Sequence, residues 1–327
     1  KSNTLTKIYT TLFSSKEELL NQKSEFILLD FNGEYTKDQI VTRNKKTVIQ
    51  LNTRDGGDTF PLIDSEFWDI ETLSILFQAT TNTQRPFLRR IIDSRNKFSD
   101  NQDSLTNYTK SIFRDVFSSP SPKAECLELL RSISKTIGAN SLYEKLKNIS
   151  WFSNTKGTNN SFKDSSGLYN SDGKAYENQL KPEVDQIQLN IDDFDELILR
   201  VNIRLCNDLL HGYVQFEHIQ PLLKRMDSYL PNLKKVLSVT TERKPSKTLT
   251  VISLRKCNQD TKKVIPLLIA KHYYNHHKDS VGNPPNKTFH LIIDEAHNIL
   301  SEDSSRETEV WKDYRLELFE EIIPHIV

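Results

Sequence analysis

The stretch Phe289-His290-Leu291-Ile292-Ile293-Asp294-Glu295 predicts a buried β-strand that ends in two adjacent carboxylates. A continuous apolar run is typical of a strand that is covered on both faces, as in the parallel sheets of α/β proteins. Ligands of open α/β folds bind at the carboxyl ends of such strands. We therefore expect the functional site of this protein to lie where this strand ends.

Further apolar runs predict the rest of the sheet. They cover residues 26–30, 47–51 and 248–254, and the first of them also ends in a carboxylate. A helical pattern over 260–274 separates the last of these runs from the strand that ends at Asp294. A strand, a helix and a strand at this spacing form a parallel βαβ unit. The sequence therefore predicts an α/β fold.

A large helical insertion is expected to interrupt this α/β core. We predict that residues 1–61 and 246–327 form the core and that 62–245 form the insertion. Helical patterns in the insertion cover 64–77, 86–117, 126–146, 193–210 and 218–236. A polar stretch rich in Ser, Asn and Gly predicts a long mobile loop over about residues 153–190. At the start of the chain, Ser15 and Glu18 have the spacing of a capping box that opens a second short helix.

Composition limits the classes of protein that remain. Lysine and arginine together number 44, as do aspartate and glutamate, so the chain has no formal net charge and is not an overall polycation. No uncharged run approaches the roughly 18 residues of a membrane span. The cysteines Cys126, Cys206 and Cys257 form no CxxC pair and no disulfide framework. These features predict a soluble, cytoplasmic protein that works without a membrane.

Two adjacent acids at the end of a strand can share the work of nucleotide hydrolysis. Asp294 would hold the water shell of a Mg²⁺ ion, and Glu295 would polarise a water molecule for attack on a γ-phosphate. A strand that simply ends in a solvated acidic turn explains the same residues. The pattern alone does not decide between these interpretations.

The first two residues favour the nucleotide interpretation. Phosphate-binding loops have the pattern GxxxxGK[ST], in which lysine reaches the β- and γ-phosphates and the hydroxyl binds Mg²⁺. Lys1 and Ser2 match the last two positions, and they open a helix that leads into a buried strand. The chain does not begin with methionine, and it has only 9 glycines. We therefore expect it to be part of a longer protein and to begin inside this loop.

At this point the sequence resembles the HerA ATPases, which are relatives of FtsK among the RecA-like P-loop motors. The resemblance rests on Lys-Ser-Asn-Thr at 1–4, Asp-Phe-Asn-Gly-Glu-Tyr at 30–35, Gln-Arg-Pro-Phe-Leu-Arg-Arg at 84–90 and Leu-Ile-Ile-Asp-Glu-Ala-His-Asn at 291–298. It covers the predicted core, about residues 1–60 and 246–327, and is weaker in the insertion. It implies a RecA-like P-loop ATPase core with a parallel sheet.

The resemblance also implies a function and a set of site residues. HerA-type proteins form hexameric rings that move double-stranded DNA by ATP hydrolysis, with a NurA-like nuclease or, in antiviral defence, a sirtuin-like or nuclease effector. ATP and Mg²⁺ would be bound by Lys1, Ser2, Asn3, Thr4, Glu34 and Asp294. Among these, Ser2 and Asp294 would bind the metal. Lys1 and Glu295 would be catalytic. Because the expected loop and later motifs are incomplete, we expect the chain by itself to hydrolyse ATP poorly.

Two other functions remain open on sequence grounds. Asp294-Glu295-Ala296-His297 spells the DEAH box of two-lobed helicases, although the segment at 30–35 is unlike the nucleic-acid motif expected there. Alternatively, the chain could be an ATPase-like scaffold that assembles an effector into a ring. The intact pair of acids favours catalysis over a scaffold.

Several other groups of residues were considered as sites. His272, His276 and His277 could bind a metal, but a solvated helix end explains them better. The spacing of Trp311, Tyr314, Leu318 and Ile322 predicts a helix with a core-facing stripe. Candidate DNA phosphate contacts are the basic groups at 43–46, 89–90, 243–244 and 262–263. For each of these basic groups, a solvated surface position is the plain alternative.

Overall fold

The computed structural model describes residues 2–98, 103–153, 160–165, 167–169, 174–243 and 245–300. The strands of the described chain are β1 Ser24–Asp30, β2 Thr47–Asn52, β3 Phe60–Ile63, β4 Ser150–Phe152, β5 Ser161–Asp164, β6 Gly167–Leu168, β7 Leu237–Thr240, β8 Leu249–Lys256 and β9 Thr288–Ile293. The α-helices are α1 Ser2–Lys23, α2 Asp64–Phe67, α3 Ile70–Phe77, α4 Gln84–Lys97, α5 Ser104–Ser118, α6 Ala124–Thr136, α7 Asn140–Lys147, α8 Lys181–Asp185, α9 Asp193–Leu210, α10 Phe216–Val236, α11 Gln259–Ser280 and α12 His297–Leu300.

The main sheet has the strand order β2-β8-β1-β9, and all of its neighbouring strands are parallel. The predicted βαβ unit is present as β8, α11 and β9, with β1 inserted between the two strands. Asp30 at the end of β1 lies beside Ser253 of β8, and Leu29 lies beside Ile293 of β9. The prediction of an α/β fold with a parallel sheet is confirmed, and the carboxylates that follow β1 and β9 come to the same edge.

The strands are buried because helices pack against them. Phe26, Leu28 and Val251 belong to a core cluster that also contains Phe13 of α1, whose ring centroid lies 5.0 Å from that of Phe26. The helix α1 leads directly into β1 and packs on it, so its amino end is directed toward the carboxyl edge of the sheet. It bends at Lys16, where φ is −135°, and this agrees with the predicted start of a second helix.

The chain packs as two compact units, which consist of residues 1–80 with 227–327 and of residues 81–226. These boundaries fall inside the helical block that the sequence predicts over 62–245. The first unit keeps the beginning and end of that block because β3 and β7 pair in parallel and α3 packs against α11. Strands of four residues carry too little periodicity to be found in the sequence.

The second unit contains a small antiparallel sheet, formed by β4, β5 and β6. Two of these strands, a π-helix at Tyr176–Leu180 and α8 lie within residues 153–190, for which the sequence predicts a mobile loop. The described parts of this stretch therefore contain regular elements. The reason is that Phe162 and Tyr169 pack against Phe117, with ring centroids 5.3 and 5.2 Å apart. Two aromatic side chains thus order a stretch whose composition is otherwise polar.

Within the part of the chain that the structure describes, none of the helices has the length and apolar character that a membrane crossing requires.

Candidate functional site

Asp30 organises the loop that follows β1. Its side chain is fully buried. Oδ1 accepts hydrogen bonds from the backbone N–H groups of Gly33 and Glu34 at 2.7 and 3.0 Å, and Oδ2 accepts one from Tyr35 at 3.0 Å. A carboxylate that collects several backbone N–H groups fixes the path of a loop. Asp30 therefore places Glu34 at the carboxyl edge of the sheet.

Gly33 is needed for this turn. Its φ of +78° lies in the left-handed region, which favours glycine. A Cβ atom at this position would lie 2.7 Å from Cδ of Arg255, the penultimate residue of β8. The side chain of Arg255 thus passes closely over the loop that carries Glu34. Asp30 belongs to the motif at 30–35, but neither its loop-forming role nor the position of Arg255 was predicted from the sequence.

Asp294 is a buried carboxylate with an unsatisfied oxygen. It is 5% exposed, and its backbone N–H donates to the carbonyl of Leu29 at 3.1 Å. Its Oδ2 atom accepts no hydrogen bond from any described residue. Burial, and then the negative charges of Glu34, Glu295 and Asp30, raises the pKa of Asp294. We call Asp30, Glu34, Asp294 and Glu295 the acidic cluster. No cation is among the charges that shift the pKa of Asp294 in the described residues.

Glu295 has an unusual backbone conformation. Its φ of +54° lies in the left-handed region, which is costly for any residue that carries a Cβ atom. Its Oε2 atom lies 3.2 Å from Nδ1 of His297, and its side chain remains 32% exposed. The turn directs the chain away from β9 immediately after Asp294. The two adjacent acids therefore differ in environment, with Asp294 buried and Glu295 partly exposed.

Three of the predicted nucleotide-binding residues, Ser2, Asn3 and Thr4, belong to the first turn of α1. Lys1 lies outside the described residues, and the position of the Ser2 side chain is likewise not described. Asn3 and Thr4 are exposed in the first turn. Since the amino end of α1 is directed toward the carboxyl edge, this helix end and the acidic cluster belong to the same side of the sheet. A helix amino end of this kind attracts phosphate.

The chemistry of Asp294 fits a magnesium ion. Mg²⁺ uses one or two carboxylates and completes its shell with water and substrate phosphates. Asp294 offers a buried oxygen that has no other partner. No three His, Cys, Asp or Glu side chains among the described residues come together as a metal site. Of the described residues, Asp294 would hold such an ion, and other oxygens would come from water and the nucleotide.

Two of the residues that were predicted to contact DNA phosphates, Lys46 and Arg90, have partners within the protein. Lys46 is 1% exposed, and its Nζ donates to the carbonyls of Tyr35 and Gln39, each at 2.7 Å. Arg90 pairs with the buried carboxylate of Asp208 at 2.9 Å. These cations have structural partners within the protein, so they are not available as simple phosphate contacts.

The histidines of α11 also differ from the prediction. His272 is buried, with its Nδ1 2.8 Å from Oε2 of Glu66 and its ring against Phe60 and Tyr273. Burial raises the pKa of Glu66, but the hydrogen bond and charge of His272 outweigh it, so the net shift is downward. The prediction of a solvated helix end is therefore wrong for His272. Its surroundings are those of a packing residue.

The fold and the site define a class of protein. A parallel sheet with an acidic cluster at its carboxyl edge is the arrangement of an α/β core of the P-loop ATPase type. The model of the family described as "Helicase HerA, central domain" matches residues 1–199, which is more than half of the chain. The chain therefore belongs to the HerA family, as the resemblance predicted.

Membership places the chain in a family of ATPases and DNA translocases and implies that it binds nucleotide. The matched range includes Glu34 and its loop, whereas Asp294 and Glu295 lie beyond it. A search of curated proteins found no match.

Proposed function

We propose that the chain is the ATP-hydrolysing part of a hexameric motor that moves double-stranded DNA. The observation that carries this proposal is the buried, unpartnered Oδ2 of Asp294 at the carboxyl edge, followed at once by the more exposed Glu295. A carboxylate for a cation and a carboxylate for water are what hydrolysis of a nucleoside triphosphate requires. Family membership favours this function over that of a two-lobed DEAH helicase.

The roles of the residues follow from their chemistry. Asp294 and Ser2 would hold Mg²⁺, which when bound neutralises negative charge on the β- and γ-phosphates. Lys1 would contact the same phosphate oxygens, with Asn3 and Thr4 beside them at the helix start. Glu295 would orient the attacking water in line with the γ-phosphate and accept its proton. Glu34, held by the Asp30 loop, would face the nucleotide from the side of β1.

The motor is proposed to work in the cytoplasm with an effector, either a NurA-like nuclease or a sirtuin-like or nuclease effector in antiviral defence. This part of the proposal rests on the family resemblance alone. A ring scaffold without turnover is the alternative, and it predicts assembly of the effector that does not depend on Glu295.

The test is Glu295→Gln in the full-length protein. Loss of the general base should lower ATP turnover by about 100-fold or more, while ATP still binds with an affinity close to that of the wild type. Asp294→Asn should instead abolish the Mg²⁺ dependence of ATP affinity, because it removes the charge that holds the ion. Turnover and nucleotide affinity would be measured by phosphate release and by calorimetry.

Glu18→Gln is the matched control, since Glu18 is an exposed residue of α1. It should leave both quantities unchanged. Wild-type turnover in the Glu295→Gln protein would overturn the assignment of the catalytic base and favour the scaffold.

A further inference from the structure

A cleft at the same edge of the sheet contains cations that have no side-chain partner among the described residues. It lies between the ends of β2 and β8 and the start of α11. Its lining residues are Asn52, Thr53, Arg54, Asp55, Arg255, Lys256, Cys257 and Asn258. The side chains of Arg54, Arg255 and Lys256 are exposed, and none makes a hydrogen bond or ion pair with any described residue.

The cleft is built on an ordered loop. The Asn52 amide donates to the carbonyl of Asp55 at 2.8 Å, and its Oδ1 accepts the backbone N–H of Arg54 at 2.9 Å. A Cβ atom on Gly57 would lie 2.5 Å from Cβ of Asn52, so the loop packs too closely for any side chain there. On the other wall, Asn258 donates its N–H to Thr53 Oγ1 at 3.0 Å. These contacts hold the loop that carries Arg54 beside the end of β8, where Asn52 is paired with Lys256.

The described residues that line the cleft include three cations and one carboxylate. Asp55 is its one carboxylate among the described lining residues, and it already pairs with Lys235 at 3.2 Å. Arg54, Arg255 and Lys256 are therefore not neutralised, although the chain as a whole has no net charge. Like charges brought together without counterions repel one another, so this arrangement favours binding of an anion with several charges.

The residues that line the cleft also indicate which class of anion it binds. Proteins that hold single strands combine a basic groove with aromatic side chains on which bases stack, and the described lining of this cleft has no aromatic residue. A row of arginine and lysine with small polar side chains suits phosphates of a duplex backbone, which are contacted without reading the base sequence. We propose that this cleft, on the β2-β8 half of the edge, binds the phosphate backbone of double-stranded DNA.

Arg255 connects this cleft with the nucleotide side of the edge. It lines the cleft, and its Cδ passes over Gly33 in the loop that carries Glu34. The acidic cluster follows β1 and β9, and the cationic cleft follows β2 and β8, so the two halves of one edge have opposite charge. A phosphate bound at Arg255 would lie next to the loop that faces the nucleotide. This part of the inference rests on the proposed function.

The experiment is the double variant Arg54→Ala/Lys256→Ala in the full-length protein. Both side chains are exposed and unpaired, so the fold should be retained, and neither residue belongs to the hydrolytic site. Binding of a duplex of arbitrary sequence would be measured by fluorescence anisotropy over a range of salt concentrations. We expect the affinity to fall by about tenfold or more and the slope of log K against log salt to fall by about 2, one for each lost phosphate contact.

The matched control is Lys23→Ala/Lys287→Ala. These exposed lysines precede β1 and β9, so they remove the same charge at the opposite edge of the same sheet. The control should keep the wild-type affinity and salt slope. Basal ATP hydrolysis without DNA should stay unchanged in both double variants, whereas stimulation by duplex should be lost only in Arg54→Ala/Lys256→Ala.

Several outcomes would overturn the inference. One is an Arg54→Ala/Lys256→Ala protein that binds duplex like the wild type. Another is a loss of ATP affinity with duplex binding retained, which would assign the cleft to a nucleotide. A third is an Arg54→Ala/Lys256→Ala protein that loses affinity for single-stranded DNA but binds duplex like the wild type. A wild-type protein that lacks basal hydrolysis but still shows the cleft-dependent duplex binding would overturn the proposed function and leave this inference standing.

Discussion

Asp30 and Lys46 hold the loop after β1 from two sides. Asp30 accepts the N–H groups at the start of the loop, and Lys46 donates to the carbonyls of Tyr35 and Gln39 farther along. In the sequence, Lys46 belongs to the basic group at 43–46, which predicts either a DNA phosphate contact or a solvated surface position. Only the folded chain shows that this lysine turns inward and supports the loop of Glu34.

Lys46 predicts a pH dependence of stability. Burial lowers its pKa to about 8 from the ordinary 10.5; Asp38 and Asp30 oppose this shift, and Arg43 reinforces it. Between these values Lys46 is neutral in the folded protein and protonated in the unfolded chain. The unfolded state then binds more protons, so the contribution of Lys46 to stability rises with pH across this window.

We therefore expect Lys46→Met to unfold more easily, by about 2 kcal/mol near neutral pH, since two buried carbonyls lose their donor. The difference from the wild type should widen as pH rises from about 8 toward 10. Urea unfolding at several pH values would measure it. Lys45→Met is the control, because Lys45 is exposed and pairs with Glu17. If the difference in free energy of unfolding between Lys46→Met and the wild type stays constant or narrows as pH rises, this account is contradicted.

At the scale of elements, periodicity predicts long helices well and short strands poorly. The predicted helix at 193–210 has the bounds of α9, because its apolar residues repeat through several turns. The strands β3 and β7 are missed because each is short and pairs with a partner that is distant in the chain. The segment at 153–190 is polar on average, yet a few aromatic residues in it are enough to order its described parts.

The contact of α4 with α9 depends on a buried ion pair. Asp208 has a fully buried side chain, with Arg90 at 2.9 Å and Arg204 at 3.0 Å. Asp208→Ala would leave two cations without their shared partner, and we expect it to destabilise the protein by about 3 kcal/mol. Thermal and denaturant unfolding would measure the change.

Asp185→Ala provides the comparison within the same unit, since Asp185 forms an exposed pair with Lys181 at 2.7 Å. That variant should lose no more than about 0.5 kcal/mol, as surface pairs in helices do. Equal effects of the two substitutions would show that burial of Asp208 contributes nothing.

The whole molecule has a formal net charge of zero, but this sum does not show where its positive and negative side chains lie. The carboxyl edge of the main sheet has an acidic half beyond β1 and β9 and a basic half beyond β2 and β8. A ring of such subunits would repeat the basic half around its axis and so attract DNA without an overall positive charge. A neutral total also means little repulsion between assembling subunits.

The proposed hexameric ring can be tested by measuring the molar mass of the protein in solution. We expect the Glu295→Gln protein with Mg²⁺ and ATP to run as a hexamer in size-exclusion chromatography with light scattering, because it keeps ATP bound between subunits. Without nucleotide, smaller species should increase. A monomer under both conditions would exclude the ring motor, although hydrolysis by the wild type could still hold.

The strands of the main sheet, the role of the adjacent acids Asp294 and Glu295 as the expected site, and the resemblance to the HerA family could all be predicted from the sequence. These are local signals, since apolar runs and short motifs depend on neighbouring residues. The strand order β2-β8-β1-β9, the approach of Arg255 to Gly33 and an Asp294 oxygen with no partner among the described residues become visible only in the folded chain. The physical reason is that parallel strands pair across long stretches of chain, so the residues that meet at their ends carry no common pattern in the sequence.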